Sequence, residues 1–169
     1  MNQPTPPLSI TTAQTIGPFP HEAWRWAFDP GDPARPVQIE GHVFDGDGTP
    51  VQDAVLEAWV PGVPAPGGRP GLPPGFHRTH TDEGGRFRFG LPAQAQANEP
   101  ACYVAVFARG LVKHQFTAIL PPGCSEAPLL DAVPVERRST LIARGDGAAP
   151  WRWDLHLQGP SETVFFDFT

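Results

Sequence analysis

Proline and glycine break this chain so often that only short elements fit between them. The sequence carries 23 prolines and 18 glycines in 169 residues, about a quarter of the chain and near the level at which disorder sets in. The intervening runs argue against disorder. They contain eleven Phe, five Trp and one Tyr, and disordered chains are poor in such residues. Frequent breakers between short apolar runs predict many short strands joined by turns. A chain of this length buries about 70% of the surface its unfolded form exposes, enough for one domain with a real core.

Residues 1–10, rich in proline and polar groups, predict a flexible arm, with 11–169 as a single domain. Thr15-Ile16-Gly17-Pro18-Phe19-Pro20-His21 reads as a loop, because two prolines forbid a central strand. Val37 to Phe44 alternates apolar and polar positions and predicts a strand. Asp45 to Pro50 is a turn, and Val51 to Val60 returns as a second strand. Pro61 to Gly75 holds six prolines and five glycines and predicts a long loop. A third strand is expected near 77–81 and a turn at Asp82–Gly85. Arg86–Leu91 follows, with Phe87, Phe89 and Leu91 inward and the arginines outward.

Residues 101–108 form an apolar run that predicts a strand buried on both faces, followed by another strand over 112–120. One short helix is expected over about 134–144, with Pro134 in its first turn and Gly145 as its stop. Trp151, Trp153, Leu155 and Leu157 alternate with polar residues in a further strand, and 163–168 closes the chain. The expected fold is all-β, an antiparallel β-sandwich of about eight strands with one short helix.

The net charge is −6, with no basic stripe, which disfavours nucleic acid as a partner. No apolar run approaches the ~18 residues that a membrane helix needs. Residues 1–7 lack both the positive charge and the apolar stretch of a signal peptide. Cys102 and Cys124 are too few for a disulfide scaffold. Two free thiols in a reducing cytoplasm are the expectation.

Histidine spacing gives little support to a metal site. His77 and His80 would point to opposite faces of a strand, and neither His-x-His nor His-Glu-x-x-His occurs. Cys102 lies in the apolar run, where burial makes a thiol inert. Asp45 and Asp47 are explained by their turn, without an ion. No Gly-x-Ser-x-Gly occurs, and the Gly-Asp-Gly-Thr stretch lacks the lysine of a phosphate loop. Arg109 differs in kind. It ends the buried run and precedes a glycine, so a planar, permanent cation stands at the rim of an apolar slot. Such a group grips a carboxylate through two parallel hydrogen bonds.

Several stretches resemble one family. They include Gln14-Thr15-Ile16-Gly17-Pro18-Phe19, Leu56-Glu57-Ala58-Trp59, Val106-Phe107-Ala108-Arg109-Gly110, Arg137 to Arg144, and Gly159 to Phe168. From about residue 11 onward the chain resembles the intradiol ring-cleavage dioxygenases, in particular the alpha subunits of protocatechuate-cleaving members. The resemblance implies a transthyretin-like sandwich that pairs with a homologous beta subunit in higher-order assemblies. It implies Fe(III) held by that beta subunit, O2 as co-substrate, and cleavage of a small aromatic acid to 3-carboxy-cis,cis-muconate in aromatic catabolism.

By the same resemblance, Ala101 and Tyr103 stand where the beta subunit has its His-x-His iron ligands, so this chain is expected to hold no metal. Thr15, Gly17 and Pro18 match a substrate-facing loop, and Arg109 matches an arginine near the substrate carboxylate. Phe19 stands where relatives often carry tyrosine. The competing reading is a non-enzymatic sandwich module, a carrier or regulatory domain. Arg109 and the Gly17-Pro18 loop discriminate, because a plain module needs neither.

Overall fold

The computed structural model describes residues 20–28, 34–63, 73–92, 98–145 and 150–167. The expected arm at 1–10 and the Thr15, Gly17 and Pro18 positions lie outside them, as does most of the 61–75 loop.

Among the described residues, eight strands form two four-stranded sheets. The first is built on β1 (Val37–Phe44), flanked on one side by β4 (Arg86–Leu91) and on the other by β7 (Trp151–Arg152) and β8 (Leu155–His156). The second runs β3 (Phe76–His80), β2 (Val55–Trp59), β5 (Cys102–Phe107), β6 (Gln115–Ile119). The expected all-β sandwich is thus the observed architecture. Every pairing within the second sheet is antiparallel.

Period-two patterning puts one face of each strand into the space between the sheets. In β1 Val37, Ile39, Gly41 and Val43 are buried, and in β4 Phe87, Phe89 and Leu91 join them. Leu56, Ala58, Cys102, Val104 and Val106 face them from the second sheet, and Trp151, Trp153 and Leu155 complete the core. Each large side chain buried here contributes about 1.5–3 kcal/mol. A smaller cluster, with Leu120, Leu130, Leu141 and Val164, packs beneath the turns that follow β6.

Five expectations are corrected. The strand expected over Val51–Val60 begins only at Val55, because residues 52–53 form a turn. The stretch expected as one strand from Trp151 is two short strands, and both run parallel to β1. Between them the Asp154 carboxylate accepts the His42 backbone N–H and binds Arg144, which interrupts the ladder. The helix expected over 134–144 is a 3₁₀ helix at Val135–Thr140. Side-chain bonds from Arg138 Nε to the Val133 carbonyl and from Thr140 Oγ1 to the Arg137 carbonyl tie up its ends. The only α-helical turn among the described residues is α1 (Pro20–Ala23), which begins in the last two residues of the loop expected over 15–21. Finally, the expected closing strand at 163–168 is, over its described part, a single bridge from Phe166 to Phe116.

Candidate functional site

The outer face of the second sheet carries the residues of interest. The register pairs Val55 with Phe107, Glu57 with Ala105 and Trp59 with Tyr103. Alternation places all six on the side away from the core. Trp59 is exposed, and Tyr103 and Phe107 are half-buried. The expectation that β5 is buried on both faces therefore holds for its inner face and only partly for its outer one.

Residues 20–28 lie across this face. Trp24 meets Phe107 edge-on at 5.2 Å between centroids, and Phe28 packs on His80 at 4.6 Å. The Arg78 guanidinium sits 4.7 Å from the Trp24 ring and is held by Glu57, with Nε 2.8 Å from Oε1. Cation–ring contact of this kind adds about 0.5–2 kcal/mol. His114 fills the gap beside Phe107 and Phe116.

Arg109 stands at the end of this face. β5 stops at Phe107, and the Leu111 N–H closes a tight turn onto the Ala108 carbonyl at 3.2 Å. Gly110 takes φ +91°, the left-handed conformation that a type II turn demands at its third position. The turn holds Arg109 at the rim, with its side chain 53% exposed. Its Nε lies 2.7 Å from Oδ2 of Asp53, whose own side chain is only 6% exposed. The approach is oblique, and Asp53 Oδ2 makes no well-aligned hydrogen bond. The contact is thus an ion pair between a buried carboxylate and a half-exposed guanidinium. The sequence reading singled out Arg109 but missed Asp53. Two steps outward from the Val55–Phe107 pair would have found it, had the strand pairing been known.

The residues expected at iron-ligand positions, Ala101 to Tyr103, are also placed. Ala101 is fully buried and offers no donor atom. Cys102 is fully buried, and burial pushes its thiol far up, which keeps it protonated. Tyr103 lies alongside Trp59, 6.2 Å between ring centroids. The six histidines, both cysteines and the single tyrosine all fall within the described residues. Among the described residues, no three His, Cys, Asp or Glu side chains cluster as a metal site. His77 is buried and His80 exposed, on opposite sides of β3 as expected. The His80 Nδ1 contacts the Thr81 carbonyl at 2.9 Å, while His42 and His156 stack on either side of Phe44. This donor set does not fit a ferric ion.

Cys102 and Cys124 are free and buried. No helix among the described residues is long and apolar enough to cross a membrane. The molecule is thus a two-sheet β-sandwich presenting an anchored guanidinium beside an aromatic face.

Comparison with known proteins places that sandwich. The chain is 34% identical to the protocatechuate 3,4-dioxygenase alpha chain of Burkholderia cepacia, over 95% of its own length and 98% of the relative's. It is 29% identical to the alpha chain of the same name from Pseudomonas putida, with the same coverage. Among solved structures, it aligns with the dioxygenase domain of a Streptomyces dioxygenase–carbohydrate-binding fusion at 18% identity and TM-score 0.49, covering 86% of this chain and 96% of that one. It also aligns with an intradiol ring-cleavage dioxygenase from Tetranychus urticae at 15% identity and TM-score 0.48, covering 82% and 87%. No protein-family model matches the chain. The chain belongs to the protocatechuate 3,4-dioxygenase alpha-chain family.

Proposed function

We propose that this chain forms the metal-free wall of a two-chain active site for intradiol cleavage of protocatechuate. A homologous beta chain holds the Fe(III), O2 is the co-substrate, and the pairs assemble further in the cytoplasm. On this reading Arg109 binds the substrate carboxylate, and the loop of Thr15, Gly17 and Pro18 lines the same pocket.

The observation that carries the reading is the half-exposed Arg109 guanidinium at the rim of the sandwich, fixed by a buried carboxylate. An incoming carboxylate meets the exposed cation before it meets Asp53. Charge-assisted hydrogen bonds contribute about 1.5–3 kcal/mol each, and binding the ring from its carboxylate end orients the opposite end toward the reactive centre. Two further observations support it. Trp24, in the segment that follows Pro18 in sequence, is anchored on Phe107 at 5.2 Å, two residues before Arg109. The side chains at 101–103, an alanine, a buried protonated thiol and a lone tyrosine, are a poor ligand set for iron, which supports placing the metal in the beta chain.

The test is expression with and without the beta chain, followed by metal analysis and gel filtration. The reading predicts a hetero-oligomer carrying about one iron per pair, and an iron-free chain in isolation. Stoichiometric iron on the isolated chain, or full activity from the beta chain alone, contradicts it.

A further inference from the structure

We infer that Asp53 is a positioning residue for Arg109, and that it sets the preference for a carboxylate-bearing ring. This rests on the reading of Arg109 as the substrate's carboxylate partner.

Three features build the position. The antiparallel register pairs Val55 with Phe107, and the turns just beyond that pair, at residues 52–53 and 109–110, bring Asp53 and Arg109 together. The loop carrying Asp53 is pinned by Thr81. The Ala54 N–H donates to Thr81 Oγ1 at 3.0 Å, and the Thr81 N–H donates to the Ala54 carbonyl at 3.0 Å, both within the buried interior. The Asp53 side chain is 6% exposed, with Oδ2 2.7 Å from Arg109 Nε. A buried carboxylate without a cation is costly, so Asp53 draws the guanidinium toward it.

The consequence concerns geometry. An arginine at a turn has several rotatable bonds and sweeps a wide volume when untethered. A fixed carboxylate at Nε restricts that sweep before any ligand arrives. Less ordering then remains to be done on binding, which tightens affinity for a ligand held at the guanidinium. A ligand without a carboxylate gains nothing from it.

The experiment is steady-state kinetics of the alpha–beta complex carrying Asp53→Asn, Asp53→Glu, Arg109→Ala, or Asp53→Asn with Arg109→Ala. Protocatechuate is compared with catechol, which lacks the carboxylate. Asp53→Asn is expected to raise KM for protocatechuate about tenfold with kcat held within about twofold, and to leave the KM for catechol unchanged. Asp53→Glu, which keeps the charge but moves it, is expected to recover part of the loss. The double variant is expected to be no worse than Arg109→Ala alone, because Asp53 acts through that arginine.

Equal rises in KM for both substrates, no rise for either, or failure of both Asp53 variants to assemble overturns the inference and leaves Asp53 as a fold element. If Arg109→Ala itself spares the substrate preference, the reading of Arg109 falls first. If Arg109→Ala abolishes the preference and Asp53→Asn does not, only the role of Asp53 falls.

Discussion

Trp24 stands edge-on to Phe107, 5.2 Å between ring centroids, and so ties residues 20–28 to the strand that ends beside Arg109. The same indole lies 4.7 Å from the Arg78 guanidinium. One side chain thereby couples the N-terminal segment to two strands of the second sheet. Trp24→Ala is predicted to cost about 1–3 kcal/mol, less than a fully buried Trp because the side chain is only half-buried. That corresponds to a fall in Tm of about 2–12 °C. Thermal unfolding checks it. An unchanged Tm shows that the segment is not held by this contact.

Gly41 decides whether β7 and β8 can reach β1. A Cβ built on Gly41 would lie 1.7 Å from the Trp153 carbonyl oxygen. The Trp153 N–H meanwhile donates to the Glu40 carbonyl at 3.0 Å. Backbone occupies the space a side chain would need, and it cannot retreat without breaking that bond. Gly41→Ala is predicted to cost at least about 3 kcal/mol, a drop of about 6–12 °C in Tm. A melting curve within 2 °C of wild type would contradict the close approach.

These two contacts mark the boundary of what the sequence made legible. Val37–Phe44 and Arg86–Leu91 were expected with the bounds the structure shows. In both, one face is buried, so the burial pattern is written residue by residue in the alternation. Trp151, Trp153 and Leu155 were legible as buried for the same reason. Their parallel pairing to β1 was not, because it depends on Gly41 and Asp154, the latter more than 100 residues from its partner His42. The 134–144 segment carries helix signals at both ends, yet it forms a 3₁₀ helix, with Arg138 bonded to the Val133 carbonyl just before it and Thr140 to the Arg137 carbonyl within it. Of the site, Arg109 was legible as a lone cation closing a buried strand. Asp53 was hidden, because only the β2–β5 register brings the two together.

Asp82 makes the β3–β4 connection sensitive to acid. Its Oδ1 accepts the backbone N–H groups of Arg86 and Gly84, each at 2.9 Å. The Arg86 bond foremost, then the Gly84 bond and the Arg86 and His42 charges, outweigh slight burial and hold its carboxyl below the ordinary 3.8. A carboxyl depressed in the folded state stabilises the fold above its unfolded pKa and loses that contribution as pH falls through its folded value. Asp82→Asn is therefore predicted to lower the urea midpoint at pH 6, with the gap to wild type closing as pH falls below the ordinary 3.8. A gap that stays constant from pH 6 to about pH 2 would show that the carboxylate charge is not involved.

Cys102 is predicted to resist thiol reagents in the native state. It is fully buried, and desolvation pushes its thiol up, leaving almost no thiolate to react. Labelling should proceed only as fast as the sandwich opens, and rise to the full rate in denaturant. Mass spectrometry after timed labelling reads this directly. Fast native labelling of Cys102 would place β5 nearer the surface than the structure does.

The central claim is that this chain contributes a cation to a site whose metal it does not hold. The most direct measurement is the ratio of kcat/KM for protocatechuate to that for catechol, in the alpha–beta complex with and without Arg109→Ala. Removing Arg109 also leaves Asp53 buried without its partner, so stability is expected to fall, and the ratio separates that loss from recognition. The account predicts that kcat/KM for protocatechuate falls about 100-fold, near 3 kcal/mol, while catechol turnover stays within about threefold of wild type. An equal fall for both substrates would contradict it, leaving Arg109 as a structural ion-pair partner and nothing more.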